Sequence, residues 1–309
     1  MEIKSHFSID STQAKSTNPT LMKLINVISH YAGLKATDQL IRKLEYILKD
    51  FKEDDLKVWI NSILEDPYKR ELPALVEDLN NHETYFFRDL VQMKALEQHI
   101  LPKLIQEKIN RKEYQIKIWS AACSSGEETY TLAMILLQTF INFKLSVKLE
   151  NGLILPPHGW QIEINGTDIS RQVIRKAKEG IYESAENGLS SFRNFPDEYM
   201  QYFHQIKEYQ DTIGGKKTIY HVNDILKTFV KFDVFNLMQA IPPSTQFDLV
   251  LCRNLLIYLH QDAQQQVEQV IRRSLKPGGI LMLSAVDKLL DETGIEVHRE
   301  RSCVYYEKR

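Results

Sequence analysis

The sequence predicts an α/β sheet domain, carrying a small antiparallel β insertion, preceded by a small all-α N-terminal domain. After residue 88, short buried strand patterns such as QIKIW at 115–119 alternate with helical patterns. This alternation is typical of a mostly parallel sheet, whose ligand sites lie at the carboxyl ends of the strands. Before residue 80, apolar residues recur at spacings of three and four, the period of an amphipathic helix.

The N-terminal part divides into a leader and a helical domain. Residues 1–18 are polar and rich in Ser and Thr, so we expect a flexible leader. Over 19–79 the helical spacing is clear, for example at Leu21, Leu24 and Ile25. We therefore predict several short helices there.

The sheet domain is predicted over 80–309. Its expected elements, in chain order, are strand 115–119, helix 127–140, strand 161–166, helix 171–180, strand 247–252, helix 262–275, strand 280–285 and strand 302–306. Residues 199–236 depart from this rhythm around a polar turn at Gly214 and Gly215. We interpret them as a small antiparallel β insertion.

Composition excludes several classes of protein. Of 309 residues, 43% are hydrophobic and 26% charged, ordinary values for a globular protein. The formal net charge of −2 argues against binding nucleic acid by broad phosphate neutralisation. No apolar run is long enough to insert in a membrane, and the N-terminus does not resemble a signal peptide. Three scattered cysteines without metal-ligand spacing fit a reducing cytoplasm. We therefore expect a cytoplasmic protein without a metal site. We also expect a monomer, because no long apolar stripe is left over.

The turn after the first strand limits the classes of ligand that the site can bind. It reads SAACSSG and contains one glycine, Gly126, whereas dinucleotides and nucleoside triphosphates need successive glycines near their phosphates. Asp168 ends the second strand, where an acid can accept hydrogen bonds from ribose hydroxyls. The separation, 168 − 126 = 42 residues, is about twice the usual spacing of roughly 20. An insertion at 144–160 accounts for the excess.

Two motifs indicate a small, partly cationic ligand. Residues 83–89 read ETYFFRD and place Thr84 close to Arg88. The turn after the first strand closes with paired carboxylates, Glu127 and Glu128. A nucleoside without phosphates, beside extra carboxylates, fits S-adenosylmethionine.

With these residues in view, the chain resembles the chemotaxis receptor methyltransferases (CheR), from about residue 20 to residue 306. The resemblance rests on ETYFFRD at 83–89, WSAACSSGEE at 119–128, TDIS at 167–170, FNL at 235–237, CRNLLIYL at 252–259 and LKPGG at 275–279. It implies a class I S-adenosylmethionine methyltransferase (Rossmann-like) fold. It also implies methyl transfer to glutamate side chains in the cytoplasmic domain of methyl-accepting chemotaxis receptors, with S-adenosylhomocysteine as the product.

The resemblance also implies the site residues. The positions that match cofactor contacts are Thr84, Arg88, Glu128, Asp168, Asn236, Leu237, Arg253 and Asn254. Tyr258 matches a residue beside the transferred methyl. Two positions before Thr84 the family usually has Asn, and this chain has His82. Because histidine can also donate or accept a hydrogen bond, we expect it to serve in cofactor binding.

Methyl transfer explains why the motifs contain no nucleophile–base pair. A glutamate carboxylate is already ionised at pH 7, so an in-line displacement at a sulfonium needs no general base. We assign catalytic roles to Arg88, which would orient a carboxylate through its planar fork, and to Tyr258, whose hydroxyl would lie near the methyl.

Plainer interpretations accompany these assignments. Tyr85, Phe86 and Phe87 are expected to pack, and Cys123 to be a small apolar filler. Glu127 is expected to complement the helix dipole. Arg253 on its own would be a structural ion-pair partner.

Two other functions stay open. One is a methyltransferase of the same fold that acts on another carboxylate substrate. The other is a non-catalytic module that binds S-adenosylmethionine or S-adenosylhomocysteine as a regulatory signal. An exposed strand edge near Gly214 and Gly215 that accepts a receptor peptide would favour the receptor methyltransferase.

Overall fold

The structure is a computed structural model that describes residues 18–66, 69–80, 83–148, 154–155, 157–185, 190–212, 214–239, 245–300 and 303–309. The chain divides into two compact units. The described residues of the first are 18–66, 69–80 and Tyr258–Gln264, and the second contains the rest. Apart from residue 18, the leader predicted at 1–18 lies outside the described residues.

The first unit contains the predicted helices, α1 Pro19–Ala32, α2 Asp38–Ile47, α3 Glu53–Glu65 and α4 Leu72–Leu79. The side chain of Asn18 caps α1 by accepting from the backbone N–H of Thr20, and Gly33 ends the helix with a φ of 74°. The apolar face predicted for α1 is buried, with Leu24 and Ile25 fully enclosed.

A short stretch late in the sequence also belongs to the first unit. The backbone N–H of Lys35 donates to the carbonyl of Tyr258 at 2.8 Å, and His260 donates to the carbonyl of Gly33 at 2.9 Å. The sequence prediction placed this stretch within the sheet domain at 80–309. These hydrogen bonds join residues more than two hundred positions apart, a separation that local periodicity does not report.

The remaining helices are α5 Leu90–Ala95, α6 Leu101–Arg111, α7 Glu127–Asn142, α8 Arg171–Glu179, α9 Asp224–Lys227 and α10 Gln261–Ser274, with a π-helical turn Leu96–Ile100 between α5 and α6. The strands are β1 Gln115–Ala121, β2 Val147–Lys148, β3 Ile154–Leu155, β4 Gln161–Asp168, β5 Ile181–Ala185, β6 Phe203–Gln210, β7 Lys216–Val222, β8 Val230–Val234, β9 Phe247–Cys252, β10 Leu275–Leu283, β11 Ile295–Glu300 and β12 Cys303–Lys308. None of the helices in the described ranges is long and apolar enough to cross a membrane.

The predicted α/β fold is confirmed. Among the described residues, seven strands form one sheet in the order β11-β12-β10-β9-β1-β4-β8. The pairs from β10 to β8 are parallel, and β12 joins antiparallel. Every residue of β9 is buried, as expected for an inner strand of a sheet covered on both faces.

The antiparallel insertion is also present, with different bounds. In the described part of the chain, three strands form a second sheet in the order β5-β7-β6. It begins with β5, before the predicted range 199–236, whereas β8 at the end of that range pairs in parallel with β4. The sequence pattern of a short strand does not specify its partner, which explains the difference. Within the 144–160 insertion, β2 pairs antiparallel with β3.

Candidate active site

The parallel strands bring the predicted site residues to one edge of the main sheet. Ala121 at the end of β1 lies opposite both Thr167 of β4 and Cys252 of β9. Cys252 in turn lies opposite Leu283 of β10, and β8 ends beside Asp168. The segments that follow these strand ends carry most of the predicted cofactor contacts, namely Glu128, Asn236, Leu237, Arg253 and Asn254.

The turn after β1 has a backbone conformation that few residues adopt. Ala122, Ser124 and Gly126 all have positive φ, of 63°, 50° and 95°. Such conformations persist only where the surrounding structure enforces them, and they concentrate at functional sites. Here the backbone N–H of Cys123 donates to the carbonyl of Thr167 at 2.9 Å, fastening the turn to β4.

Close packing explains why the single glycine of this turn is Gly126. A Cβ added there would lie 2.8 Å from the Cβ of Ala177 and 3.1 Å from the hydroxyl of Tyr182. The Tyr182 hydroxyl also donates to the carbonyl of Ser125 at 2.7 Å. The turn is therefore fixed from α8 and β5 on this side.

Asp168 fastens the turn from the end of β4. Its Oδ2 accepts the backbone N–H of Ser124 at 2.9 Å, and its Oδ1 accepts that of Ser170 at 3.0 Å. The carboxylate is largely buried, with 8% of the residue exposed. A carboxylate is also the type of group that accepts hydrogen bonds from ribose hydroxyls. The ribose contact stays a prediction.

The segment after β8 adjoins Asp168. The backbone N–H of Phe235 donates to the Asp168 carbonyl at 2.9 Å, and the Asn236 side chain accepts the backbone N–H of Met238 at 2.9 Å. Leu237 is 9% exposed. Asn236 and Leu237 thus lie next to the residue predicted to bind ribose, although their contact with adenine stays a prediction.

Arg253, at the end of β9, is the centre of a buried ionic network. Its Nη1 donates to Glu128 Oε2 at 3.0 Å, and its Nη2 donates to Asp89 Oδ2 at 2.7 Å. Its Nε donates to the side chain of Gln92 at 3.0 Å, and Nη2 also donates to the carbonyl of Arg88 at 2.7 Å. The structural ion-pair interpretation of Arg253 is therefore confirmed. Its direct contact with the cofactor stays a prediction.

Glu128 connects this network to β1. While Oε2 accepts from Arg253, Oε1 accepts the hydroxyl of Ser120 at 2.7 Å. Its side chain is 15% exposed. Glu128 is thus a carboxylate of fixed orientation at the edge of the site.

The ETYFFRD segment is anchored by its two phenylalanines. Phe86 is fully buried and Phe87 is 4% exposed, which confirms that they pack. Thr84 and Arg88 on either side are partly exposed, and Arg88 Nη1 donates to the carbonyl of Glu83 at 2.8 Å. Burial of the two rings fixes the segment and leaves these polar side chains accessible.

The structure adds site residues that the sequence interpretation missed. Asp287, after β10, is 4% exposed and accepts the backbone N–H groups of Asn254 and Ile257, and the hydroxyl of Ser284. It supports Asn254 in a left-handed conformation, φ 57°. An acid directly after a buried strand was the signal that singled out Asp168, and the same signal was available for Asp287. Asp89 and Gln92 carried no such signal.

Two predicted residues are not brought to this edge by any described contact. His82 lies outside the described residues. Tyr258 is 40% exposed and belongs to the first unit. Their roles stay predictions.

Burial governs the electrostatics of the turn. It raises the pKa of the Cys123 thiol well above its usual value, with the nearby Asp168 charge adding to the shift. With 2% of the residue exposed, Cys123 packs as the predicted apolar filler. Glu127, the first residue of α7, is also buried, and desolvation raises its pKa although the Ser125 and Ser191 hydroxyls each donate to it at 2.8 Å. Within the described ranges, no group of three or more His, Cys, Asp or Glu is arranged to hold a metal ion.

The hydrogen-bonding groups at this edge of the sheet fit S-adenosylmethionine. The carboxylates of Glu128 and Asp168 can accept hydrogen bonds from an ammonium group and from ribose hydroxyls. The small residues of the turn allow a nucleoside to approach the backbone, and the successive glycines of a phosphate-binding loop are missing from its sequence.

Comparison with known proteins agrees with this chemistry. The family model described as "CheR methyltransferase, SAM binding domain" matches residues 82–302. A chemotaxis protein methyltransferase of Borreliella burgdorferi is 28% identical over 285 residues, 91% of this chain and 92% of that protein. One from Vibrio anguillarum is 30% identical over 80% of this chain and 79% of its own length. Chemotaxis protein methyltransferase 1 of Pseudomonas aeruginosa is 32% identical over 70% and 69%.

Proposed function

The chain belongs to the CheR methyltransferase family, and from this premise we propose that it methylates glutamate side chains in the cytoplasmic domain of methyl-accepting chemotaxis receptors. S-adenosylmethionine is the methyl donor of this family, and the chain is a methyltransferase of chemotaxis. The observation that carries the proposal is that four of the family's motifs, those that include Glu128, Asp168, Asn236 and Arg253, meet at one edge of the sheet. The products are a glutamyl methyl ester and S-adenosylhomocysteine.

The reaction requires the acceptor carboxylate to be aligned with the methyl group, and it does not require a general base. Bound S-adenosylmethionine supplies an electrophilic methyl group on a sulfonium. The acceptor carboxylate is ionised at pH 7, so the protein has only to orient it and to exclude the water that solvates it. Positioning of this kind contributes about 7–11 kcal/mol in favourable cases.

Individual residues divide the task. Glu128 and Asp168 would hold the cofactor by accepting hydrogen bonds, His82 and Thr84 would add polar contacts, and the Asn236–Leu237 pair would lie beside the adenine. Arg88, partly exposed beside the network, orients a carboxylate of the acceptor or the cofactor through its guanidinium fork. Tyr258 would place its hydroxyl near the methyl group, as the family resemblance implies. Arg253 fixes Glu128, as its 3.0 Å bond to that carboxylate supports.

A protein acceptor is supported by the second sheet. β6 is an edge strand of that sheet, and most of its residues are exposed, including Ile206 at 56%. An exposed edge can take up an extended peptide by strand addition. Because receptor signalling domains are cytoplasmic, the enzyme would act in the cytoplasm.

Labelled methyl transfer tests the proposal. The protein is incubated with methyl-labelled S-adenosylmethionine and membranes that contain chemotaxis receptors, and the labelled receptor is then treated with mild alkali. A glutamyl ester releases volatile methanol, whereas N-methyl and C-methyl products do not. We expect base-labile label on the receptor, and a loss of about tenfold or more in the Arg88→Ala variant, because a charged hydrogen bond contributes about 1.5–3 kcal/mol.

A matched control is Arg175→Ala, which removes an exposed arginine of α8 paired with Glu179. Base-stable label would move the reaction to another acceptor. No label from a folded protein that binds S-adenosylhomocysteine would instead indicate a regulatory module. Full turnover by Arg88→Ala would remove the role assigned to Arg88.

A further inference from the structure

Arg88 lies between two residues of unusual backbone conformation. Phe87 has a φ of 55° and Asp89 a φ of 59°. A left-handed conformation is uncommon for residues other than glycine, and unusually so for a bulky side chain. Two such residues, one on each side of Arg88, need contacts from outside the segment to hold their conformations.

Each of the two left-handed residues is held by a hydrogen-bond partner from another part of the chain. Asp89 is bound through its carboxylate by Arg253. Phe87 is bound through its backbone N–H, which donates to the hydroxyl oxygen of Thr131 at 3.2 Å. Thr131 stands outside every motif that the sequence interpretation used.

Thr131 is well suited to this task. It is fully buried in the second turn of α7, and its hydroxyl donates to the carbonyl of Glu127 at 2.7 Å. Because a hydroxyl has one proton, that bond turns an oxygen lone pair towards other donors. The Thr131 oxygen is therefore preset to accept the Phe87 N–H.

A second set of contacts connects the preceding amide to the first turn of α7. The Phe86 N–H donates to the carbonyl of Ser191 at 2.8 Å, and the Ser191 hydroxyl donates to Glu127 Oε1 at 2.8 Å. Successive amides of the ETYFFRD segment are thus bound, directly or through Ser191, to the first turns of the helix that also carries Glu128.

We propose that Thr131 is a positioning residue for the methyl-transfer reaction, assisted by Ser191. It acts through the Phe87 amide and fixes the backbone from which Arg88 projects. This inference rests on the proposed function, and specifically on Arg88 binding the carboxylate of the cofactor, a group that S-adenosylhomocysteine also carries. The proposal gives α7 a second role besides presenting Glu128. The helix also sets the position of the ETYFFRD segment.

The chain offers a matched control for Thr131. Thr139 lies two turns further along α7, is equally buried, and its hydroxyl makes the same bond to the carbonyl four residues earlier, at 2.8 Å to Ile135. Its hydroxyl is not bonded to the ETYFFRD segment in any described contact. Thr131→Val and Thr139→Val therefore remove the same helix bond, and only the first removes the acceptor of Phe87.

The test measures the dissociation constant of S-adenosylhomocysteine by calorimetry, with thermal unfolding as a check on folding. We expect Thr131→Val to bind about tenfold more weakly, because it leaves a buried N–H without an acceptor in the bound arrangement. Thr131→Ser keeps the hydroxyl and should bind as the parent does. Thr139→Val should lose similar thermal stability and keep its affinity.

A double-variant cycle with Arg88→Ala asks whether the effect passes through Arg88. The weakening by Thr131→Val should largely disappear in the Arg88→Ala background. Equal affinities for Thr131→Val and Thr139→Val, or a Thr131→Val effect of undiminished size without Arg88, would overturn the inference. The receptor-labelling assay on the unaltered protein reports separately on the proposed function.

If Thr131→Val does not fold, Ser191→Ala replaces it. Ser191→Ala keeps the carbonyl that accepts Phe86 and removes the bond to Glu127, so we expect weaker binding in the same direction. Its control is Ser190→Ala, whose hydroxyl accepts only the nearby Phe192 N–H in the described contacts. Equal binding by these two variants would also overturn the inference.

Discussion

Arg253 shows how one buried side chain can organise a site by binding the residues around it. Its side chain is 2% exposed, and it contacts Glu128 after β1 and Asp89 before α5. Isolating a charge from water is unfavourable, so a guanidinium this deep needs carboxylate partners around it. The partners gain fixed positions in return, and the arginine thereby joins two separate segments of the site, the residues around Asp89 and the start of α7.

At this scale we predict that Arg253→Met lowers the free energy of unfolding by about 3 kcal/mol, because it leaves Glu128 without its buried counter-charge. Urea denaturation followed by circular dichroism measures the change. Arg70→Met is the control, since Arg70 pairs with Asp66 with 78% of its own side chain exposed. A loss no greater than that of the control would contradict the buried-network interpretation.

At the scale of elements, a second buried ionic group connects three strands at the end of the sheet opposite the site. Asp248, near the start of β9, accepts from Lys108 of α6 at 2.8 Å and from Lys276 of β10 at 2.7 Å. Its other oxygen accepts the backbone N–H of Lys117 in β1 at 2.8 Å. This carboxylate therefore ties one helix and three adjacent strands at the end of the sheet away from the site.

We predict that Asp248→Asn lowers the stability of the protein without changing its affinity for S-adenosylhomocysteine. Removing the charge leaves the buried Lys108 ammonium with only the more distant and more exposed Glu113 carboxylate, at 3.8 Å, so the free energy of unfolding should fall by about 3 kcal/mol. The folded fraction should still bind S-adenosylhomocysteine with unchanged affinity, because the strand ends at the site are untouched. Denaturation and calorimetry on the same samples measure both quantities.

The control for this variant is Glu53→Gln, which removes an exposed pair with Lys57 within α3. It should leave the denaturation midpoint unchanged, since exposed ion pairs contribute little. A loss of affinity in Asp248→Asn, or equal stability losses in the two variants, would show that the two ends of the sheet are not energetically separate.

For the whole molecule, stability depends on pH through its buried acids. Burial raises the pKa of the Glu127 carboxyl above its ordinary value of 4.5. Below that ordinary value the carboxyl is protonated in both the folded and the unfolded chain, and it has no pH-dependent effect. As the pH rises from there to the raised folded value, the unfolded chain releases the proton first, so folding loses stability.

We predict that Glu127→Gln removes this loss. The variant should gain stability relative to the parent as the pH rises through that window, and the difference should then become constant at higher pH. Urea denaturation at several pH values from about 4 to about 7 measures the difference. A difference that stays constant across the window would show that Glu127 titrates normally in the folded protein.

Much of the fold could be predicted because the relevant signals are local. The strand predicted at 247–252 matches β9, and α7 begins at the predicted Glu127, because a run of buried residues and a helix start are both written in neighbouring positions. The small sheet was predicted as antiparallel, but its first strand β5 was missed. A strand of five residues carries too little pattern to show which sheet it will join.

By itself, the sequence determined the α/β class, the family motifs and the nature of the cofactor, since strand rhythm and motif spacing are properties of neighbouring residues. Tertiary structure decided the rest. It joined Arg253 to Asp89 across 164 positions, brought Thr131 to the Phe87 amide across 44, and assigned residues 258–264 to the helical unit. Those partners are selected by burial, because a charge or an amide removed from water must bond to whatever group the fold brings within reach.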